Sequence, residues 1–170
     1  MTTSTTNQTR IEVDPNLPTI RIVRDFTASP ERVYRAWTDP ELLAKWLGRH
    51  EHSIRIDRWD ARTGGNYRYS VMTDGVATAS FFGSFHELRP DERIVRTETF
   101  EMFPDGVCLE TVAFEDLGST HTRVTSLILI DTLESRDAMI ASGMEHGVVE
   151  GYEQLDALLA ATPRDHESSS

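Results

Sequence analysis

The hydrophobic positions of this chain follow two periods, and the change from one to the other separates a strand-rich body from a helical end. Thr19 to Phe26 sets Ile20, Ile22 and Val23 among charged neighbours, which suits a first strand with one face in a core. Ser29-Pro30-Glu31-Arg32 then opens a helix: Ser29 can cap free amides, Pro30 fits the first helical position, and Glu31 meets the positive end of the dipole. Val33, Ala36 and Trp37 form its apolar side. Asp39-Pro40-Glu41 repeats the signal, so a second short helix carries Leu42, Leu43, Trp46 and Leu47. From Ser53 the period becomes two, with Ile54 and Ile56 alternating with Arg55 and Asp57 up to Trp59. Turn signals at Arg62-Thr63-Gly64-Gly65, Asp74-Gly75, Arg89-Pro90-Asp91-Glu92, Pro104-Asp105-Gly106 and Asp116-Leu117-Gly118-Ser119 separate five further runs. These run from Asn66 to Thr73, Ala77 to Leu88, Arg93 to Phe103, Val107 to Glu115 and Thr120 to Asp131. About six strands joined by tight turns make an antiparallel meander.

After Ser142 the period is helical again. Val148, Tyr152, Leu155 and Leu159 recur at alternating spacings of four and three, so a long helix with one apolar stripe ends the chain. Gly143, Gly147 and Gly151 share one face of it, although each costs roughly 1 kcal/mol relative to alanine in a helix interior. A helix keeps such a bare strip where another backbone passes close, or where the space beside it stays empty. The second reading has the helix lying across the sheet with its glycine half walling a hollow. The expected fold is α+β: a curved antiparallel sheet of about seven strands wrapped around the long C-terminal helix, with two short helices after the first strand.

Residues 1–18, rich in Thr, Asn, Gln and Pro, read as a flexible segment, and residues 163–170 as a flexible tail; residues 19–162 are expected to form one domain. Composition narrows the partners. A formal charge of -11 without a basic patch disfavours nucleic acid and anionic membrane surfaces. The single Cys108 makes no internal disulfide, and no apolar run approaches the roughly 20 residues that span a bilayer. No basic segment followed by an apolar one opens the chain, so the expected location is cytoplasmic.

The run from Arg24 to Glu41 resembles the start of the bacterial activator of Hsp90 ATPase homologue 1-like family, within the START/Bet v 1-like (SRPBCC) superfamily. Trp46, Asp60, Arg62-Thr63-Gly64-Gly65, Gly83, Leu88-Arg89-Pro90, Thr122-Arg123-Val124-Thr125 and Gly143-Met144 through Leu155 continue the pattern in the same order. The resemblance covers about residues 19 to 161. It implies a helix-grip fold with a cavity between sheet and long helix, used across the superfamily for apolar or amphipathic small molecules. Function in that superfamily follows the cavity rather than the fold. The family name also points to chaperone binding.

Chemistry-bearing residues are few. His50-Glu51-His52 places two imidazoles two apart, as a metal pair on a strand would be, but no third ligand is identifiable, so no metal is assigned. Cys108 on an apolar strand reads as an inert thiol. No nucleophile elbow, phosphate loop or dinucleotide fingerprint is present, and no cofactor is assigned. His86, Glu98 and Glu110 lie on strands among apolar neighbours. Facing inward, each would be a lone ionisable group in an apolar hollow, able to orient a ligand or move a proton. Facing outward, each is a solvated side chain on the convex face, the favoured reading for the two glutamates and an even one for His86. The expected ligand-binding set is Trp59, Tyr69, Phe82, His86, Glu98 and Glu110 on strands, with Met144, Gly147, Val148, Gly151 and Tyr152 on the helix. The leading function is binding of a small hydrophobic or amphipathic molecule without catalysis. The alternatives are a small hydrolase or cyclase using a cavity His or Glu, and a chaperone-related interaction module. The strand from Thr19 to Phe26 is a candidate edge for pairing across a homodimer axis.

Overall fold

The computed structural model describes residues 8–118 and 120–161. Among them, β1 (Arg10–Val13), β2 (Thr19–Phe26), β3 (Ser53–Trp59), β4 (Asn66–Thr73), β5 (Val76–Arg89), β6 (Arg93–Phe100), β7 (Cys108–Gly118) and β8 (His121–Leu129) form one curved antiparallel sheet. Its order is β1-β2-β8-β7-β6-β5-β4-β3, so the meander from β3 to β8 is closed on its last strand by β2. The tightest hairpin is the one Asp74-Gly75 announces: both residues take positive φ, 51° and 78°, as a two-residue primed turn requires. Register shifts at Ile56/Arg58, Val71/Met72 and Phe85/Glu87 interrupt the meander and increase its twist.

Helices α1 (Pro30–Thr38) and α2 (Pro40–Trp46) start where the sequence places them. The Ser29 hydroxyl accepts the Arg32 amide at 3.4 Å, and the Asp39 carboxylate accepts the Glu41 amide at 3.0 Å. One indole joins the two helices and a second ties them to the sheet. Trp46 Nε1 donates to Ala36 O at 2.9 Å and Trp59 Nε1 to Thr38 O at 2.7 Å.

Three expectations change. Residues 10–13, assigned above to a flexible segment, form β1 and pair with β2 from Arg10↔Val23 to Val13↔Ile20. With β1 on one side and β8 on the other, β2 is an interior strand and offers no edge for a dimer. The C-terminal helical region is also divided. Helix α3 (Leu133–Ala141), capped by Thr132 accepting the Ser135 amide at 3.0 Å, precedes α4 (Met144–Ala161). Gly143, at φ 87°, makes the turn between them rather than sitting inside one helix. The tail expected at 163–170 lies outside the described residues.

The C-terminal half of α4 docks on the sheet and on α1. Tyr152, Leu155 and Leu159 are buried, and the Tyr152 ring meets Phe26 edge-on at 5.4 Å. Arg24 pairs with Asp156, and Arg32 Nη2 donates to Leu159 O at 2.7 Å. Complete burial of Leu155 alone contributes roughly 1.5–3 kcal/mol. No helix among the described residues is long and apolar enough to cross a membrane.

Candidate functional site

Strand phase decides which polar groups enter the fold. Ile94 on β6 and Val112 and Phe114 on β7 are buried on the concave face. Because side chains alternate, Arg96 and Glu98, and Glu110 and Cys108, must share that face. Pairing then sets Arg96 opposite Glu110 and Glu98 opposite Cys108. Both glutamates therefore point inward, against the solvent reading favoured for them above.

The two carboxyls differ in their partners. Glu110 Oε2 accepts Arg96 Nε at 2.8 Å and Oε1 accepts the Ser126 hydroxyl at 2.7 Å. Burial opposes ionisation of Glu110, but Arg96 and Ser126 outweigh it and hold its carboxyl below the usual range. Glu98 has no cation of its own. Its Oε1 accepts the Tyr69 hydroxyl at 2.8 Å and lies 3.4 Å from that of Tyr67, which also donates to Thr97 O at 2.6 Å. Its Oε2 has no hydrogen-bond partner among the described residues, and the side chain as a whole is partly exposed. Burial raises this carboxyl above the usual range, Arg96 opposing and Glu110 reinforcing the shift. Opposite it, burial and the neighbouring carboxylates push the Cys108 thiol up to about 11, which makes it a poor nucleophile near neutral pH. Burial also raises the Tyr152 hydroxyl; it lies within electrostatic reach of Glu110 and Arg96 and makes no hydrogen bond among the described residues.

Around this polar row, concave residues are only partly covered. Phe81, Phe100, Cys108, Ile128, Ile54 and Ile56 are half-buried. Helix α3 begins just after Asp131, which is close enough to Cys108 to raise its thiol further. Met139 and Ile140 of α3, with Met144 and Val148 of α4, pack against the core while staying partly exposed. An apolar rim with one open carboxyl oxygen is what this arrangement presents.

The other expected residues divide. Trp59 meets Phe85 edge-on at 5.3 Å, and Tyr69 stacks on Phe81 at 5.2 Å. Phe82, two-fifths exposed, faces the convex side and not the concave one. His86 is also exposed: it follows inward-facing Phe85, so strand alternation turns it to the other face, and the bulge between Phe85 and Glu87 then brings Leu88 rather than Glu87 back opposite Ile94. Gly151 walls no hollow: a Cβ there would lie 3.0 Å from Trp46 O and 3.2 Å from Gly48 N. It is bare because the end of α2 passes against it, and Gln154 Nε2 secures that contact by donating to Gly48 O at 2.8 Å and Trp46 O at 3.3 Å. A Cβ on Gly147 would meet only Arg49 Cγ, at 3.9 Å. The glycine face thus looks at α2 and the loop after it. His50 and His52 in that loop serve different partners, Glu150 at 2.7 Å and Thr73 Oγ1 at 2.9 Å.

On the convex face a cleft of about 410 Å³ is lined by Arg58, Arg68, Phe82, Thr99, Glu101 and Val107 among others. Its Arg68 is already committed to Glu101 at 2.8 and 2.9 Å and to Asp57 at 2.6 Å. The concave row, with its open oxygen, is the stronger candidate.

Residues 27–160 match the family model described as activator of Hsp90 ATPase homolog 1-like protein. No curated protein matches the chain. Among solved structures, a protein from Chromobacterium violaceum is 32% identical, with 85% of this chain and 99% of that one covered and a TM-score of 0.73. A Rhodobacter sphaeroides protein is 26% identical, with 91% and 100% covered and a TM-score of 0.83. A protein from Arthrobacter aurescens, solved by NMR, is 27% identical, with 95% and 98% covered and a TM-score of 0.81. The fold is the helix-grip arrangement.

Proposed function

The chain belongs to the activator of Hsp90 ATPase homolog 1-like family, and from that premise we propose that it binds a small hydrophobic or amphipathic molecule without transforming it. The ligand lies between the half-covered end of the concave face and the α3–α4 region. Exposure along that one face is the observation that carries the proposal. Ile20, Phe26, Val112 and Val124 are sealed at 0%, whereas Phe81, Glu98, Phe100 and Cys108, on the same side of the sheet, are not. An apolar surface left half-covered, with a few polar atoms converging on it, is the usual form of a small-molecule site. Native mass spectrometry and thermal shift with a panel of fatty acids and aromatic ketones test it. A one-to-one adduct is expected, with stabilisation of about 2.7 kcal/mol at a ligand concentration a hundredfold above Kd. Failure of the whole panel to bind would contradict the proposal.

Glu98 also favours a second reading, proton transfer to or from the bound molecule, since burial raises this inward carboxyl and so favours the proton-carrying form that a general acid needs. Turnover that Glu98→Gln abolishes, with binding retained, would distinguish an enzyme from a carrier.

A further inference from the structure

We infer that the molecule held at the half-covered end carries a carbonyl-type acceptor, and that Glu98 recognises it by donating a hydrogen bond from Oε2. The inference rests on the ligand site proposed above and adds what that site selects. Oε1 is occupied as an acceptor, receiving the Tyr69 hydroxyl at 2.8 Å with the Tyr67 hydroxyl at 3.4 Å. Arg96, the cation that acts on Glu98, gives its Nε to Glu110 at 2.8 Å. A second ionised carboxyl beside Glu110 would therefore have to share that one guanidinium with it, which a partly desolvated site resists. Glu98 is consequently neutral, and with Oε1 engaged by donors its proton belongs on Oε2. That oxygen is the one with no partner among the described residues, on a side chain that is partly exposed.

A protonated carboxyl is a donor aimed at an acceptor, so the site suits a ketone, ester or amide oxygen on an apolar body. Ammonium groups, which need an anion, are not matched. Groups facing Glu98 come from several elements: Tyr67 and Tyr69 on β4, Arg96 on β6, Cys108 and Glu110 on β7 and Tyr152 on α4, with Asp131 before α3. Arg96 and the three tyrosines are raised, Cys108 is pushed up to about 11, and Glu110 is held low. Of these groups Glu98 is the carboxyl that burial shifts upward, toward its neutral form.

The test is a pair of neutral probes of one shape, 1-tetralone and its hydrocarbon parent tetralin, titrated into the full chain and followed by two-dimensional NMR. At about pH 5 the ketone is expected to bind roughly five- to tenfold more tightly, the effect of one hydrogen bond, and the preference should shrink as pH rises. Glu98→Gln keeps a donor at the same place, so the preference should survive and lose its pH dependence. Glu98→Ala should abolish the preference, so that ketone and hydrocarbon bind that variant with equal affinity. If Glu98→Ala does not fold, the pH behaviour of Glu98→Gln carries the test. Equal affinity of the two probes for the parent protein at low pH, a preference that grows with pH, or tighter binding of 1-aminotetralin would overturn the inference while leaving the ligand site standing. Binding of neither hydrocarbon nor ketone would overturn the site and the inference together.

Discussion

Helix α4 has two halves that the same sheet treats differently. Along the second half, Tyr152, Leu155 and Leu159 are buried against Phe26, α1 and α2, and two polar contacts, Arg24 with Asp156 and Arg32 with the Leu159 carbonyl, fix the helix end. Along the first half, Met144 and Val148 touch the core but stay partly exposed, above a face where the apolar rows give way to Arg96, Glu98 and Glu110. Stability is concentrated where the helix docks. Selectivity is left to the end where it does not, since an interior of close-packed apolar groups leaves no room for a guest. The ion pair of Arg96 and Glu110 marks the border. Both of its side chains are largely buried and Glu110 has partners on both oxygens, so the pair maintains the fold, whereas Glu98, two residues along β6, keeps an oxygen without a partner among the described residues.

Truncations test the contrast most strongly. Leu155→Ala is expected to lose about 2–5 kcal/mol of unfolding free energy, and Val148→Ala much less, measured by urea denaturation at constant m-value. Equal losses would erase the distinction between the halves. Next comes the border: Glu110→Gln should destabilise by about 3 kcal/mol, because it leaves the Arg96 guanidinium buried beside a neutral amide. The glycines give opposite signs. Gly151→Ala is expected to cost about 1–3 kcal/mol, its new methyl being forced onto the backbone of Trp46 and Gly48, while Gly147→Ala should gain about 0.5–1 kcal/mol from helix propensity alone.

Smallest is the pH effect of Glu98. Its folded-state pKa lies above the unfolded value, so the native state holds this proton more tightly, and the stabilisation present below the ordinary carboxylate range is lost as pH rises through the folded value. Glu110, held low, acts in the reverse sense: its contribution is present above the ordinary value and lost as pH falls. Relative to the parent, Glu98→Gln should therefore become more stable as pH rises from about 5 to about 8, in paired denaturation curves. A constant difference across that range would show that Glu98 is not perturbed.

Much of this fold was legible as period and punctuation. Ser29 and Asp39 capped the helices they announced, Asp74-Gly75 made its hairpin, and the stripe of Tyr152, Leu155 and Leu159 faced the core. The site was harder to read for physical reasons. The inward phase of Glu98 and Glu110 follows from counting in twos from Ile94 and Val112, but a bulge resets such a count, as it does between Phe85 and Leu88. The glycine strip was ambiguous in principle, because a missing Cβ serves close backbone contact and empty space alike. At Gly151 contact is the answer. Gly143 was a turn residue whose positive φ no spacing reveals, and the cap at Thr132 was the overlooked signal for α3.

The most direct measurement is methyl NMR of the full chain titrated with 1-tetralone. The account predicts shifts centred on Ile128, Ile140, Met144 and Val148, with Leu155 and Leu159 unmoved. Shifts centred instead on Val107 beside the convex cleft, or spread evenly over both halves of α4, would contradict it.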